Sequence, residues 1–222
     1  MNLTCINDIP RKGCMNIALD EFFLIKEPFE DVFRFYKWTS PAYTIGYFQK
    51  FPEKNDDYQV VRRLTGGLSV LHKNDLSYSL IVSDKIWPYI YDQEKTYKTI
   101  HETIKKSLEK INIFCDNIGV QTGCAKNYSC VQTLYKDDLL LNGRKIVGSC
   151  QRRRGKKILV EGSIHLNLSS EQTDVFVRDF FKTLSHGLNC NSLLRELRKE
   201  EIIAADNLCK EKYDNDKWNK LF

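Results

Sequence analysis

The sequence predicts an α+β fold, a mainly antiparallel sheet with flanking helices, on three observations. Ile158, Val160, Gly162, Ile164, Leu166 and Leu168 fall on every second position, the period of a strand that turns one face to a core. Asn142-Gly143 sits between two apolar runs, and that dipeptide readily takes the positive φ angles of a type I′ hairpin turn. Tyr97, Ile100, Ile104, Leu108 and Ile111 recur at three- and four-residue steps, as do Phe176, Phe180 and Leu184, so two helices each bury one stripe. Strands joined by short turns, with helices between the groups, define the class.

Taken in order, Met15 to Lys26 reads as a helix stopped by Pro28. Val32 to Trp38 is rich in aromatic and β-branched residues and reads as a strand. Tyr43 to Phe48, Tyr58 to Arg63 and Tyr78 to Val82 are further strands, with a diglycine loop leading into Ser69-Val70-Leu71. After the first striped helix, Asn117 to Gln132 shows no period, and long irregular loops are often functional. A hairpin comes next, Asp137 to Leu141 and Arg144 to Cys150, then a basic turn and the alternating strand. The remainder reads as helical, with a charged segment from Leu193 to Lys199 and a final Lys212 to Phe222.

At 222 residues the chain suits one domain over residues 1–222, with residues 170–222 as its helical C-terminal segment. Hydrophobic content of 42% and charged content of 28% are those of a globular protein in water, and no apolar run approaches the ~20 residues that span a bilayer. The first residues lack a basic segment followed by an apolar one, so no secretory signal is read. The eight cysteines include no C-x-x-C pair and the four histidines are scattered, so reduced thiols in a cytoplasm are expected and no metal site is predicted. The net charge of +5 concentrates in Arg152-Arg153-Arg154-Gly155-Lys156-Lys157. A solvated turn is the default reading, and docking of an acidic protein is the functional one. No aromatics interleave, so nucleic acid is not the expected partner.

Two runs carry chemistry. In Arg62-Arg63-Leu64-Thr65-Gly66-Gly67-Leu68-Ser69-Val70-Leu71-His72, paired arginines precede two glycines that let backbone N–H groups approach an anionic or carbonyl-bearing ligand. In Asn142-Gly143-Arg144-Lys145-Ile146-Val147-Gly148-Ser149, a hairpin delivers one lysine with Gly-Ser on the same strand. A cation with a cradle of backbone donors suits an acyl or phosphoryl group.

These residues resemble the family of biotin- and lipoate–protein ligases and octanoyl transferases, most closely its lipoate branch. Asn16-Ile17-Ala18-Leu19-Asp20-Glu21 is similar to that family's N-terminal helix signature, and Pro41 to Gln49 to its next strand. Arg62 to Gly67 resembles its ligand loop, Gly143 to Ser149 its catalytic-lysine strand, and Gly162-Ser163-Ile164 its final ligand-facing strand. The resemblance implies the fold shared with class II aminoacyl-tRNA synthetase catalytic domains. It also implies a ligand site containing Arg63, Gly66, Gly67, Leu68, Ser69, His72, Gly148, Ser149 and Gly162. The chain departs from the family pattern at Leu68, at Lys73 in place of an acid after the histidine, at Cys150 in place of alanine, and at Val160-Glu161 in place of a histidine-containing pair.

The resemblance implies acyl transfer in protein lipoylation. In one octanoyl-transferase branch the nucleophilic cysteine lies fifteen residues before the lysine, and Cys130 stands fifteen residues before Lys145. Cys130 is then the nucleophile and Lys145 its electrostatic partner, with Cys190 and Cys150 as weaker nucleophile candidates. The donor would be an acyl carrier protein, and the acceptor a lysine of a lipoyl-domain protein such as the glycine-cleavage carrier or a 2-oxoacid dehydrogenase subunit. This route needs no cofactor. The alternatives are a lipoate–protein ligase that activates free lipoate with ATP and Mg, and a non-catalytic acyl-binding homologue.

Overall fold

The computed structural model describes residues 1–53, 58–117 and 135–222. Its larger sheet has eight strands: β1 (Asn2–Asn7), β2 (Val32–Tyr36), β6 (Leu76–Ser83), β7 (Asp116–Asn117), β8 (Leu139–Leu141), β9 (Arg144–Arg154), β10 (Lys157–Ile164) and β11 (Asn191–Leu194). They lie in the order β11-β1-β2-β6-β10-β9-β8-β7. From β2 to β7 every neighbour is antiparallel, while β1 is parallel to both β2 and β11. A smaller sheet holds β3 (Ala42–Ile45), β4 (Gln59–Arg62) and β5 (Val70–His72), in the order β4-β3-β5.

Helices cover both faces of the large sheet. On one, α2 (Gln93–Glu109) and α3 (Ser170–Gly187) lay Ile100, Ile104, Leu108, Phe176, Phe180 and Leu184 against Phe33, Phe35, Tyr78 and Val160. These are the two stripes visible in the sequence. Each helix starts on a capping residue: Asp92 accepts from the Lys95 N–H at 2.9 Å, and Ser169 forms a reciprocal capping box with Gln172. On the other face, α1 (Gly13–Ile25) and α4 (Lys199–Leu208) pack against Val32, Tyr36, Ile81 and Leu159. A π-helical turn (Cys209–Tyr213) and α5 (Asp216–Asn219) come after α4.

The expected class is the one observed, with differences at element ends. The strand expected to run to Leu168 stops at Ile164, and that expected to reach Trp38 stops at Tyr36. The segment read only as helix or charged coil contains β11, whose four residues are exposed and so carry no alternation to read. Arg62, fully buried, ties the C-terminus to the small sheet by donating to the carbonyls of Trp218 (3.2 Å) and Asn219 (2.8 Å).

Candidate active site

The Asn142-Gly143 turn forms as expected, with φ angles of 52° and 74°. The pairing of β8 with β9 beyond that turn decides where the lysine goes. Leu140 pairs with Lys145 but Leu139 with Val147, so Ile146 is an extra residue in β9. Such a bulge reverses the alternation locally. Lys145 thereby turns to the face occupied by Gly148, where a Cβ would stand 2.6 Å from its Cε and 2.9 Å from its Nζ. Only glycine leaves room for the lysine to lie there. The ammonium pairs with Asp138 Oδ2 at 2.6 Å, and both side chains are buried. Burial pushes the Asp138 carboxyl up, against the pull of Lys145.

The diglycine loop lines the same cavity as Lys145 and is held by Arg63. Its guanidinium donates to Thr44 Oγ1 (2.7 Å), Thr65 Oγ1 (3.3 Å) and the carbonyls of Gly66 (3.0 Å) and Leu68 (3.1 Å). Fixing two carbonyls fixes the direction of the N–H groups between them. Arg63, expected to touch ligand, lines the cavity but directs these donors into its own loop and to Thr44 on β3. His72 stacks on Trp38, ring centroids 4.0 Å apart, and donates from Nδ1 to Asp75 Oδ2 at 2.8 Å. Burial alone would raise the Asp75 carboxyl, but His72 and Ser163 hold it below the usual carboxylate range. Asp75 thus supplies, three residues on, the acid missing at Lys73.

On the α2 face of β9, Ser149 joins a closed chain. His101 Nδ1 donates to the Asp137 carbonyl at 2.5 Å, so Nε2 of the neutral ring accepts from the Ser149 hydroxyl at 2.6 Å. Tyr78 then donates to Ser149 Oγ at 2.5 Å. Burial, with Lys145 adding to it, lowers His101 to about 4 and keeps the ring neutral. Tyr78 reaches from β6 to β9 across Gly162 on the intervening β10, where any Cβ would overlap the phenol ring. The expected ligand glycine is therefore also the gap through which the tyrosine passes.

On the opposite face, the Cys150 sulfur lies 3.0 Å from Thr65 Oγ1 and 3.6 Å from the Glu161 carbonyl. Thr65 Oγ1 donates to Glu161 Oε2 in a short hydrogen bond. Burial first, and Asp20 second, raise the Glu161 carboxyl to about 7 against the pull of Arg63.

These groups surround a cavity of about 720 Å³, within the range of small-ligand pockets. Ile17, Trp38, Leu68 and Val70 give it apolar walls. Of the expected site residues, Lys145, Arg63, Gly66, Gly67, Leu68, His72, Gly148, Ser149 and Gly162 line it. Ser69 does not, because it alternates with Leu68 and Val70, which do. Cys130 lies outside the described residues. Cys190 borders a separate groove with Cys5, Arg178 and Ser185, away from Lys145, and burial raises its thiol. The basic run is largely engaged within the fold. Arg152 and Arg153 donate to the carbonyls of Leu64 and Ile90, while Lys156 and Lys157 pair with Asp84 and Glu27. The expected docking of an acidic protein there gains no support from this geometry. Asp138, Thr65 and His101 are site residues the sequence reading missed; the adjacent Asp137-Asp138 before the hairpin was the available sign for the first.

A family model described as the lipoyl protein ligase A/B catalytic domain matches residues 13–191. The chain is similar to octanoyltransferase LipM of Oceanobacillus iheyensis, 31% identical over an alignment 176 residues long that covers 75% of this chain and 64% of that protein. That stretch is just under two thirds of the relative. Octanoyltransferase LipM of Carboxydothermus hydrogenoformans is 27% identical, with 93% of this chain and 94% of the relative aligned. Among solved structures, the bi-partite lipoate protein ligase of Thermoplasma acidophilum superposes with a TM-score of 0.72 at 19% identity, covering 99% of this chain and 95% of that one. The LipL1 protein of P. falciparum in complex with lipoate gives 0.69 at 15%, covering 99% and 74%. These two likenesses concern the fold. With four fifths of its length matched by the family model, the chain belongs to the lipoyl protein ligase A/B catalytic-domain family.

Proposed function

We propose that this chain is an octanoyltransferase of protein lipoylation, moving an octanoyl or lipoyl group from a carrier-protein thioester through an enzyme cysteine to a lysine of a lipoyl-domain protein. One observation carries the reading: in a chain similar to octanoyltransferases, a buried lysine ammonium is held over Gly148 on the wall of an apolar cavity.

Cys130 is the nucleophile in this reading, supported by its fifteen-residue spacing from Lys145. Its thiolate attacks the thioester carbonyl, the carrier sulfur leaves with the bonding electrons, and the acyl group rests on the enzyme. Lys145 and the N–H groups of the diglycine loop offset the charge on the oxyanion. Asp138 keeps the ammonium in place. One thioester replaces another of similar energy, so no nucleotide is required. The acceptor amine then forms an amide, which drives the sequence forward. The acceptor is the glycine-cleavage carrier or a 2-oxoacid dehydrogenase subunit, and the setting is the cytoplasm; among the described residues no helix is long and apolar enough to cross a membrane.

The test mixes the chain with octanoyl-carrier protein and a lipoyl-domain acceptor, without ATP. An octanoyl amide on the acceptor supports the reading. Modification only with ATP, magnesium and free acid, through an acyl-adenylate, makes the chain a ligase instead.

A further inference from the structure

Strands β9 and β10 place Cys150 directly opposite Glu161. Thr65 of the diglycine loop joins them and is fully buried. A threonine hydroxyl has one proton and two lone pairs. The proton goes to Glu161 Oε2, and one lone pair accepts from Arg63 Nε at 3.3 Å. The other faces the Cys150 thiol at 3.0 Å. The single thiol proton has two acceptors in reach, this lone pair and the Glu161 carbonyl at 3.6 Å; directed at the nearer one, it makes the chain run from thiol to hydroxyl to carboxylate.

Its two ends differ from those of a structural network. Cys150 is half-buried and lines the cavity. Glu161 also lines it, is 3% exposed, and its second oxygen, Oε1, has no hydrogen-bond partner among the described residues. Buried polar atoms are nearly always satisfied, and an exception calls for a reason. A carboxyl titrating near 7 is matched to taking and returning a proton at neutral pH. Cys150 and Gly148 are two residues apart on one strand face, about 7 Å. An acyl carbonyl bound between them can point its oxygen at the Lys145 ammonium and its carbon at the Cys150 sulfur.

We propose that Cys150 is a second acyl-accepting thiol of this cavity, activated by Glu161 through Thr65. The identity of the acyl group, octanoyl, rests on the transferase reading above. In the step, the thiol proton passes to Thr65 Oγ1 as the Thr65 proton passes to Glu161. The sulfur bonds to the thioester carbonyl carbon, and the bond from that carbon to the donor sulfur breaks. The donor leaves as a thiolate and is protonated by solvent. When an amine later displaces Cys150, the proton on Glu161 returns through Thr65 to the cysteine sulfur, and the amine proton leaves to solvent.

The full chain is incubated with octanoyl-carrier protein in its native form and as five variants: Cys130→Ala alone, and with Cys150→Ala, Glu161→Gln, Thr65→Val or Thr65→Ser added. Intact-mass spectrometry and peptide mapping track the adduct, with thermal melts confirming folding. Cys130→Ala is expected to gain one octanoyl group on Cys150. The adduct should vanish with Cys150→Ala and form about 10²-fold more slowly with Glu161→Gln or Thr65→Val. Thr65→Ser should restore the rate. Octanoylation of the native chain on Cys130 with none on Cys150 in the Cys130→Ala variant overturns the proposal and leaves the transferase reading standing, as does a rate on Cys150 indifferent to Glu161 and Thr65. If no cysteine takes octanoyl, the transferase reading fails and iodoacetamide decides the thiol. Alkylation of Cys150 that rises through about pH 7 and loses that inflection in Glu161→Gln upholds an activated thiol. Alkylation without the inflection overturns it.

Discussion

The two faces of β9 carry polar chains of opposite character. On the α2 face, Tyr78, Ser149, His101 and the Asp137 carbonyl close on one another, every donor matched to an acceptor. On the loop face, Cys150, Thr65 and Glu161 run from a cavity-lining thiol to an oxygen with no partner among the described residues. Beside that second chain lies the Lys145–Asp138 pair. A closed network holds a sheet together, whereas an open one next to a buried cation is poised for a proton or a ligand. Changes on the loop face should therefore act on rate, and changes on the α2 face on stability.

The largest effect expected is that of Lys145→Met. In the proposed transfer it removes the cation that offsets the oxyanion, and it should lower kcat for octanoyl transfer by about 10²–10³. The comparison breaks if the rate changes less than the melting temperature explains. Next comes Gly162→Ala, whose methyl group would collide with the Tyr78 ring and force the α2 face apart. Overpacking of this kind costs about 1–3 kcal/mol, read from denaturant unfolding. Ser149→Ala leaves the Tyr78 hydroxyl and His101 Nε2 without their shared partner. A loss of about 1–2 kcal/mol is expected in the same measurement.

The pH dependence is the most discriminating test, because the two faces respond to pH with opposite signs. Glu161 is raised from 4.5 to about 7, so the folded state holds the extra proton between those values. Its contribution to stability is complete below 4.5 and is lost as pH rises through 7. His101 is lowered from 6.5 to about 4, so here the unfolded state holds the extra proton. Its contribution is present above 6.5 and is lost as pH falls through 4. Between pH 4.5 and 6.5, Glu161→Gln should make the stability curve rise more steeply with pH, and His101→Gln should flatten it. Equal slopes in the two variants would remove the distinction between the faces.

Much of this was legible in the residues, for identifiable reasons. The Asn-Gly hairpin, the two helical stripes and the alternation along β10 are local patterns, and each formed, with β10 ending at Ile164 short of the expected Leu168. The cavity-lining runs were legible for the same reason: glycines and a lysine at fixed spacing mark a backbone approach. The bulge at Ile146 was not, since it depends on how β8 pairs, and it alone decides which face Lys145 occupies. The partnerships of Asp138 with Lys145 and of Thr65 with Glu161 join residues whose closeness is created by the sheet. Gly162 was read as a ligand residue, while its contact with Tyr78 required the order β6-β10-β9. Ser69 was grouped with its neighbours by motif, though alternation along the extended chain leading into β5 sets it apart.

The measurement that bears most directly on the account is a search for a covalent acyl-enzyme after mixing the native chain with octanoyl-carrier protein in the absence of nucleotide. The account predicts a hydroxylamine-labile octanoyl adduct on cysteine that is discharged when a lipoyl domain is added. No adduct, together with an acyl-adenylate once ATP, magnesium and free octanoate are supplied, would contradict it.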